Sequence, residues 1–141
     1  MVTYSIEPIE DVKVFDNLYK HYPRGQKEMY EWVRNRNCAF VVAAKIDNEI
    51  IGSLGIKVLS PGNYRYLHLT VYPEHQYKGI GTTILRESVK LLTERGAHRI
   101  ENHKRENMIR HDIFIEMGFK LQSIRNVDGE KYTTYVLNIG A

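Results

Sequence analysis

The sequence predicts an α/β domain: a mixed, mostly antiparallel central sheet of about seven strands, flanked by about four helices. Three observations carry that reading. Apolar residues switch between a period of two and a helical period several times along the 141 residues. Three strand-like segments follow one another between residues 38 and 72 with only tight turns between them, which makes antiparallel neighbours. Helical and extended segments alternate elsewhere, which makes layers on a sheet.

The elements follow in order. Val2, Tyr4 and Ile6 alternate with Thr3, Ser5 and Glu7, which is strand periodicity. Val14, Phe15, Leu18, Tyr19 and Tyr22 recur at helical spacing until Pro23 and Gly25 stop them. Met29, Tyr30 and Val33 mark a second short helix over 26–36. Residues 38–46 form an apolar strand, Asp47-Asn48 a turn, and 49–59 a strand interrupted by Gly52 and Gly55. After the turn at Pro61-Gly62-Asn63, residues 64–72 alternate. Leu67, Leu69 and Val71 fall on one side; Tyr64, Tyr66, His68, Thr70 and Tyr72 fall on the other. An amphipathic helix spans about 80–95, with Gly96 as its C-terminal stop. A short, unusually polar strand at 97–104 holds Glu101, His103 and Lys104. A helix over 107–117 ends at Gly118, and strands at 119–125 and 131–139 close a final hairpin.

Composition bounds the class. The chain is 43% hydrophobic and 26% charged, which excludes disordered, collagen-like and coiled-coil proteins. Residues 1–141 read as a single domain. No apolar run approaches the roughly 20 residues that cross a bilayer, and residues 1–7 lack the pattern of a secretory signal. The one cysteine, Cys38, opens an apolar run and reads as a small core residue, which fits a cytoplasmic protein. The net charge of +3 is spread along the chain, so neither nucleic acid nor membrane is an expected partner. None of the six histidines has a convincing ligand spacing, so no metal is expected. Ten tyrosines stand against four phenylalanines and one tryptophan, a surplus that suits a wet cleft as well as a core.

The chemistry concentrates in residues 67–82. A strand ends at Pro73-Glu74, and Gln76-x-x-Gly79-x-Gly81-Thr82 enters a helix. The first amides of a helix have no internal partner and sit at the positive end of its dipole. Gly79 and Gly81 remove side chains that would hold an anion away, Lys78 adds charge and Thr82 a hydroxyl. This predicts a phosphate site. A Walker loop needs Gly-Lys-Ser/Thr, which is absent, and a Rossmann loop needs a third glycine and a parallel βαβ unit.

With its flanks, the stretch resembles the most diagnostic motif of the GNAT superfamily of acyl-CoA-dependent N-acetyltransferases. That motif is a Leu-x-Leu-x-Val strand, then Pro-Glu, then Gln/Arg-x-x-Gly-x-Gly/Ala, here over about 67–95. A second element agrees: Asn107, Arg110, Phe114, Gly118 and Phe119 stand at the spacings of a family helix. The resemblance implies acetyl-CoA as cosubstrate and an opening between the strands at 64–72 and 97–104. Leu69 and Val71 would pair with the pantetheine arm, and the Val71 amide would face the thioester carbonyl as an oxyanion donor. Gln76, Tyr77, Lys78, Gly79, Ile80, Gly81 and Thr82 would hold the pyrophosphate. Asn107 would contact pantetheine; Arg110 would reach the CoA phosphates or fill the cleft. Phe114 stands where many relatives have a tyrosine that protonates the departing thiolate, and it cannot donate a proton.

The implied reaction is transfer of acetyl to a primary amine by direct attack in a ternary complex. A neutral amine needs a base. Candidates are His68 on the central strand, His103 on the opposite wall, and Glu74 after the turn. Tyr19, Tyr22, Tyr30, Trp32, Tyr64 and Tyr66 are available to line an acceptor site, as either packing or contact. Small-molecule and peptide amines both remain open as acceptors, and a homodimer is compatible. The alternative is a catalytically weak CoA-binding sensor domain.

Overall fold

β-branched and aromatic runs set the sheet. The computed structural model describes residues 1–8, 38–105 and 111–140. Its strands are β1 (Thr3–Pro8), β2 (Cys38–Ile46), β3 (Glu49–Ser60), β4 (Asn63–Val71), β5 (Arg99–Arg105), β6 (Lys120–Val127) and β7 (Glu130–Asn138). They form one sheet in the order β1-β2-β3-β4-β5-β7-β6. Neighbours are antiparallel except β4 and β5, which are parallel. Two hairpins close on left-handed pairs: Asp47 and Asn48 at φ 50° and 66°, Asp128 and Gly129 at φ 51° and 80°. Positive φ at both positions makes the primed turns whose twist suits a hairpin.

Two α-helices are present among the described residues, α1 (Ile80–Glu94) and α2 (His111–Glu116). The α1 stripe of Ile80, Ile84, Leu85, Ser88 and Leu92 is buried. Both helices stop in the same way. After α1, the Ala97 amide donates to the Leu92 carbonyl at 2.9 Å and Gly96 to Thr93 at 3.0 Å. After α2, Phe119 donates to Phe114 at 2.9 Å and Gly118 to Ile115 at 3.0 Å. This paired cap satisfies the last carbonyls and brings an apolar residue back onto the final turn. Accordingly the Phe119 ring meets Phe114 edge-on, 5.4 Å between centroids.

The expectation of about four flanking helices is corrected to two among the described residues. Among the described residues only α1 exceeds two turns. The helices expected over 9–22 and 26–36 lie outside the described residues, as does the start at 107 of the helix expected over 107–117, of which α2 is the described part. The physical reason is that a stripe of three or four apolar residues marks a face and not a helix length. The described part of α2 is held by the packing of Phe114 on Phe119 and Tyr135.

β3 and β4 fall out of step once. The register pairs Ile56 with Tyr66, then Leu54 with Leu69. Two steps on β3 face three on β4, so Leu67 and His68 form a β-bulge. Gly55 lies opposite; a Cβ there would sit 3.3 Å from both the Leu67 Cβ and the Cys38 Sγ. The bulge shifts the side-chain phase by one. Tyr66 therefore turns to α1, where its hydroxyl donates to Ser88 Oγ at 2.5 Å. Ser88 in turn donates to the Leu85 carbonyl. Tyr64 shares that face, edge-on to Phe40, whose ring lies 4.7 Å from the Arg95 guanidinium. Leu69 and Val71 face α1 too, since a Cβ on Gly81 would lie 3.7 Å from each side chain. The expected grouping of Tyr64 and Tyr66 with His68 and Thr70 is thereby overturned. Thr70, opposite Ser53, points away from α1.

Candidate functional site

The parallel pairing of β4 and β5 is short. It covers Asn63–Tyr66 against Arg99–Asn102 and then stops, although β4 runs on to Val71 and β5 to Arg105. The sheet is split there. Tyr72 donates its amide to the Ile51 carbonyl at 2.8 Å. Antiparallel residues alternate between bonding across the ladder and away from it. The main-chain groups of Val71 and Leu69 thus face the split and not β3.

At the mouth of the split the chain turns through a 3₁₀ turn at Pro73–His75 into α1. Gln76 Nε2 donates to the Val71 carbonyl at 3.0 Å, pinning the loop to the strand it leaves. Tyr77 and Gly79 both adopt left-handed backbone, φ 63° and 80°, and no side chain caps α1. The first intrahelical amide bond is Thr83 to Gly79, 3.0 Å. The amides of Ile80, Gly81 and Thr82 therefore precede the helical ladder. Gly79, with no other atom within 4 Å of a would-be Cβ, leaves the approach open, and Lys78 is exposed beside it. This donor set fits a pyrophosphate.

A cleft of about 580 Å³ joins loop and split. Of the expected site residues, His68, Leu69, Val71, Gln76, Tyr77, Gly79, Ile80, Gly81 and Thr82 line it, together with Thr70 and His75. Asn107 and Arg110 lie outside the described residues, as do Tyr19, Tyr22, Tyr30 and Trp32. Phe114 is fully buried, stacked on Tyr135 at 5.9 Å in the core. Glu74 is exposed in the turn.

Two histidines differ in their surroundings. Burial of His68 disfavours the imidazolium and lowers its pKa below 6.5. His103 is lowered first by burial and then by Arg65 and Arg125, against the pull of Glu101. Its Nε2 lies 2.8 Å from Glu101 Oε1, and Arg125 Nη2 lies 3.3 Å from its Nδ1. The neutral ring donates from Nε2 and accepts at Nδ1, so its lone pair is already engaged.

Glu101 is the polar residue that sequence reasoning left without a role. Burial alone would raise its pKa, but hydrogen bonds from Arg99, Arg65 and His103 hold it at about 2. Neighbouring Asn102 is 5% exposed, and its Nδ2 has no hydrogen-bond partner. The readable signal was the unusual polarity of this strand.

Fold and site together define a split-sheet protein whose cleft presents main-chain donors and a helix-terminal anion loop. The acetyltransferase (GNAT) family model matches residues 6–119, and the chain belongs to that family. No curated protein sequence matches it. The ribosomal-protein-S18-alanine N-acetyltransferase of Escherichia coli is similar, with a TM-score of 0.76 at 18% identity over 100% of this chain and 96% of that one. The aminoglycoside 6′-N-acetyltransferase of Enterococcus faecium gives 0.72 at 15% identity over 96% of both chains. A GNAT family acetyltransferase of Elizabethkingia anophelis with acetyl-CoA bound gives 0.69 at 15% over 98% of both. At such identities the likeness is one of fold. Among the described residues no cluster of His, Cys, Asp and Glu could hold a metal ion, and no helix is long and apolar enough to cross a membrane.

Proposed function

We propose that this protein is an acetyl-CoA-dependent N-acetyltransferase that acetylates a primary amine by direct attack. The observation that carries the reading is the split between β4 and β5 opening onto the Gln76–Thr82 loop. Acetyl-CoA supplies an activated acyl group as a thioester. The loop amides and Lys78 hold its pyrophosphate, and the main-chain groups of Leu69 and Val71 pair with its pantetheine arm. The Val71 amide faces the thioester carbonyl oxygen, where negative charge develops as the amine nitrogen bonds to the carbonyl carbon.

His68 takes the proton that the amine sheds. Its lowered pKa keeps it neutral and able to accept near neutral pH. His103 is the second candidate, but its engaged lone pair makes it a positioning group for Glu101 and Arg125. The carbon–sulfur bond breaks with the electron pair on sulfur. A thiol of pKa about 8.5 leaves acceptably without a dedicated acid, which accommodates the buried Phe114.

Phe114 also favours a second reading, a domain that binds CoA without turnover. Purified protein incubated with acetyl-CoA and a panel of amines separates them through thiol release. Amine-dependent release supports the enzyme. Saturable CoA binding with no release on any amine would overturn it in favour of the sensor.

A further inference from the structure

Thr70 is 4% exposed, and its hydroxyl Oγ1 has no hydrogen-bond partner. A hydroxyl shut away from water without a partner is destabilising, and such groups are rare in folded proteins. Yet Thr70 lines the cleft, on β4 between His68 and Val71.

Covalent geometry fixes what this hydroxyl can reach. The Val71 amide nitrogen is bonded to the Thr70 carbonyl carbon, so Oγ1 lies roughly 3–4 Å from that nitrogen whatever its rotamer. A carbonyl oxygen held by the Val71 amide therefore has the Thr70 side chain beside it. The Thr70 carbonyl oxygen points the other way, towards β3, where it would lie 3.1 Å from a Cβ on Gly52. His68 stands two residues before Thr70. Alternate residues of a strand share a face, roughly 7 Å apart, a gap that an imidazole and a hydroxyl can bridge. Both side chains lie on the face away from α1. The opposite face is taken by the Leu69 and Val71 side chains and by α1 itself. An amine thus reaches the acyl carbon from the side of Thr70 and His68.

We propose that Thr70 is a catalytic residue of the transfer, its hydroxyl relaying the proton of the attacking amine to His68. The assignment rests on the acetyltransferase reading above. As the amine nitrogen bonds to the carbonyl carbon, it gives a proton to Thr70 Oγ1, and the proton that Oγ1 carried passes to a ring nitrogen of His68. Thr70 ends as a neutral hydroxyl and His68 as an imidazolium. The carbon–sulfur bond breaks with its electron pair on sulfur. The imidazolium then gives its proton to water, from which the thiolate takes one. A hydroxyl suits this place because it accepts and donates at once. Hydroxyl and methyl are alike in size, so a turn between staggered positions can aim Oγ1 at the amine without repacking.

The test replaces the hydroxyl by a methyl group. Thr70→Val should lower kcat in the thiol-release assay roughly 10- to 100-fold, with coenzyme A affinity near wild type. Its melting temperature should equal or exceed that of wild type, because the lost hydroxyl had no partner. Thr70→Ser keeps the hydroxyl and should stay within about threefold of wild type in kcat. Groups that act as one unit are not additive, so Thr70→Val combined with His68→Ala should be no slower than His68→Ala alone. An unchanged kcat in Thr70→Val, an equal loss in Thr70→Ser, or losses that multiply in the double variant would each overturn the relay while acetyl transfer stands. Thiol release by wild type with no amine of the panel would overturn both readings.

Discussion

Gln76 donates its side-chain amide to the main-chain carbonyl of Val71 at 3.0 Å, across the turn that separates β4 from α1. The bond ties the anion loop to the strand whose amides face the split, so loop and strand keep one relative position. Gln76→Ala removes it without opening a core cavity. Coenzyme A affinity should fall about fivefold, the worth of one hydrogen bond, while the melting temperature changes little. Calorimetric titration of wild type and variant checks this, and equal affinities would refute the tie.

Gly79 and Gly81 serve the loop differently and should separate experimentally. Gly79 caps α1 at φ 80° with nothing near its missing Cβ. Gly79→Ala therefore strains the backbone only, costing about 1–2 kcal/mol of stability. Gly81 has ordinary φ, and a Cβ there would reach only van der Waals contact with Leu69 and Val71. Gly81→Val should leave stability within about 0.5 kcal/mol but crowd the amides beneath it. The expected result is at least a tenfold loss of CoA affinity, with urea denaturation and CoA titration read side by side.

The two histidines and Glu101 set a pH profile. The unfolded chain protonates His68 and His103 near 6.5, whereas the folded protein does so only at lower pH. Their contribution is intact above pH 6.5 and is lost as pH falls through the folded values. Glu101, held at about 2 against an ordinary 4.5, contributes above pH 4.5 and is lost between there and 2. Urea midpoints at pH 7, 5 and 3 should decline in that order. Activity should rise through the lowered His68 pKa, on a limb centred below 6.5. His68→Ala should lose that limb and roughly 100-fold in kcat/KM. An unchanged profile in the variant would remove His68 from the reaction.

The sheet was legible in the sequence because strand period, turn residues and helix stops each have a local cause. Asp47-Asn48, Gly96 and Gly118 all act where their chemistry places them. The phase of β4 was not legible from its own alternation. The bulge depends on space that Gly55 leaves on the neighbouring strand. A lone glycine inside a strand pattern is a known sign of such a defect. Glu101 was visible as an odd charge in a strand, but its partner Arg65 comes from β4, which only the register brings beside it.

Removing the Glu101 charge tests that network directly. Glu101→Gln leaves Arg65, Arg99 and His103 facing one another without an anion. Stability should drop on the order of 2 kcal/mol at pH 7, because the cations are only partly exposed. The loss should shrink at pH 2, where the wild-type carboxylate is itself being protonated. Equal losses at both pH values would mean that shape, not charge, holds the cluster.

Phe114→Tyr decides what the missing hydroxyl means. Phe114 is fully buried between Phe119 and Tyr135, with rings at 5.4 and 5.9 Å. A hydroxyl placed there without a partner costs about 1–3 kcal/mol. If the position governs only packing, the variant melts lower and releases thiol no faster than wild type. If it governs thiolate protonation, kcat rises despite the lower melting temperature. The ring's enclosure on every described side favours the first outcome, and stopped-time thiol release beside a thermal melt distinguishes the two.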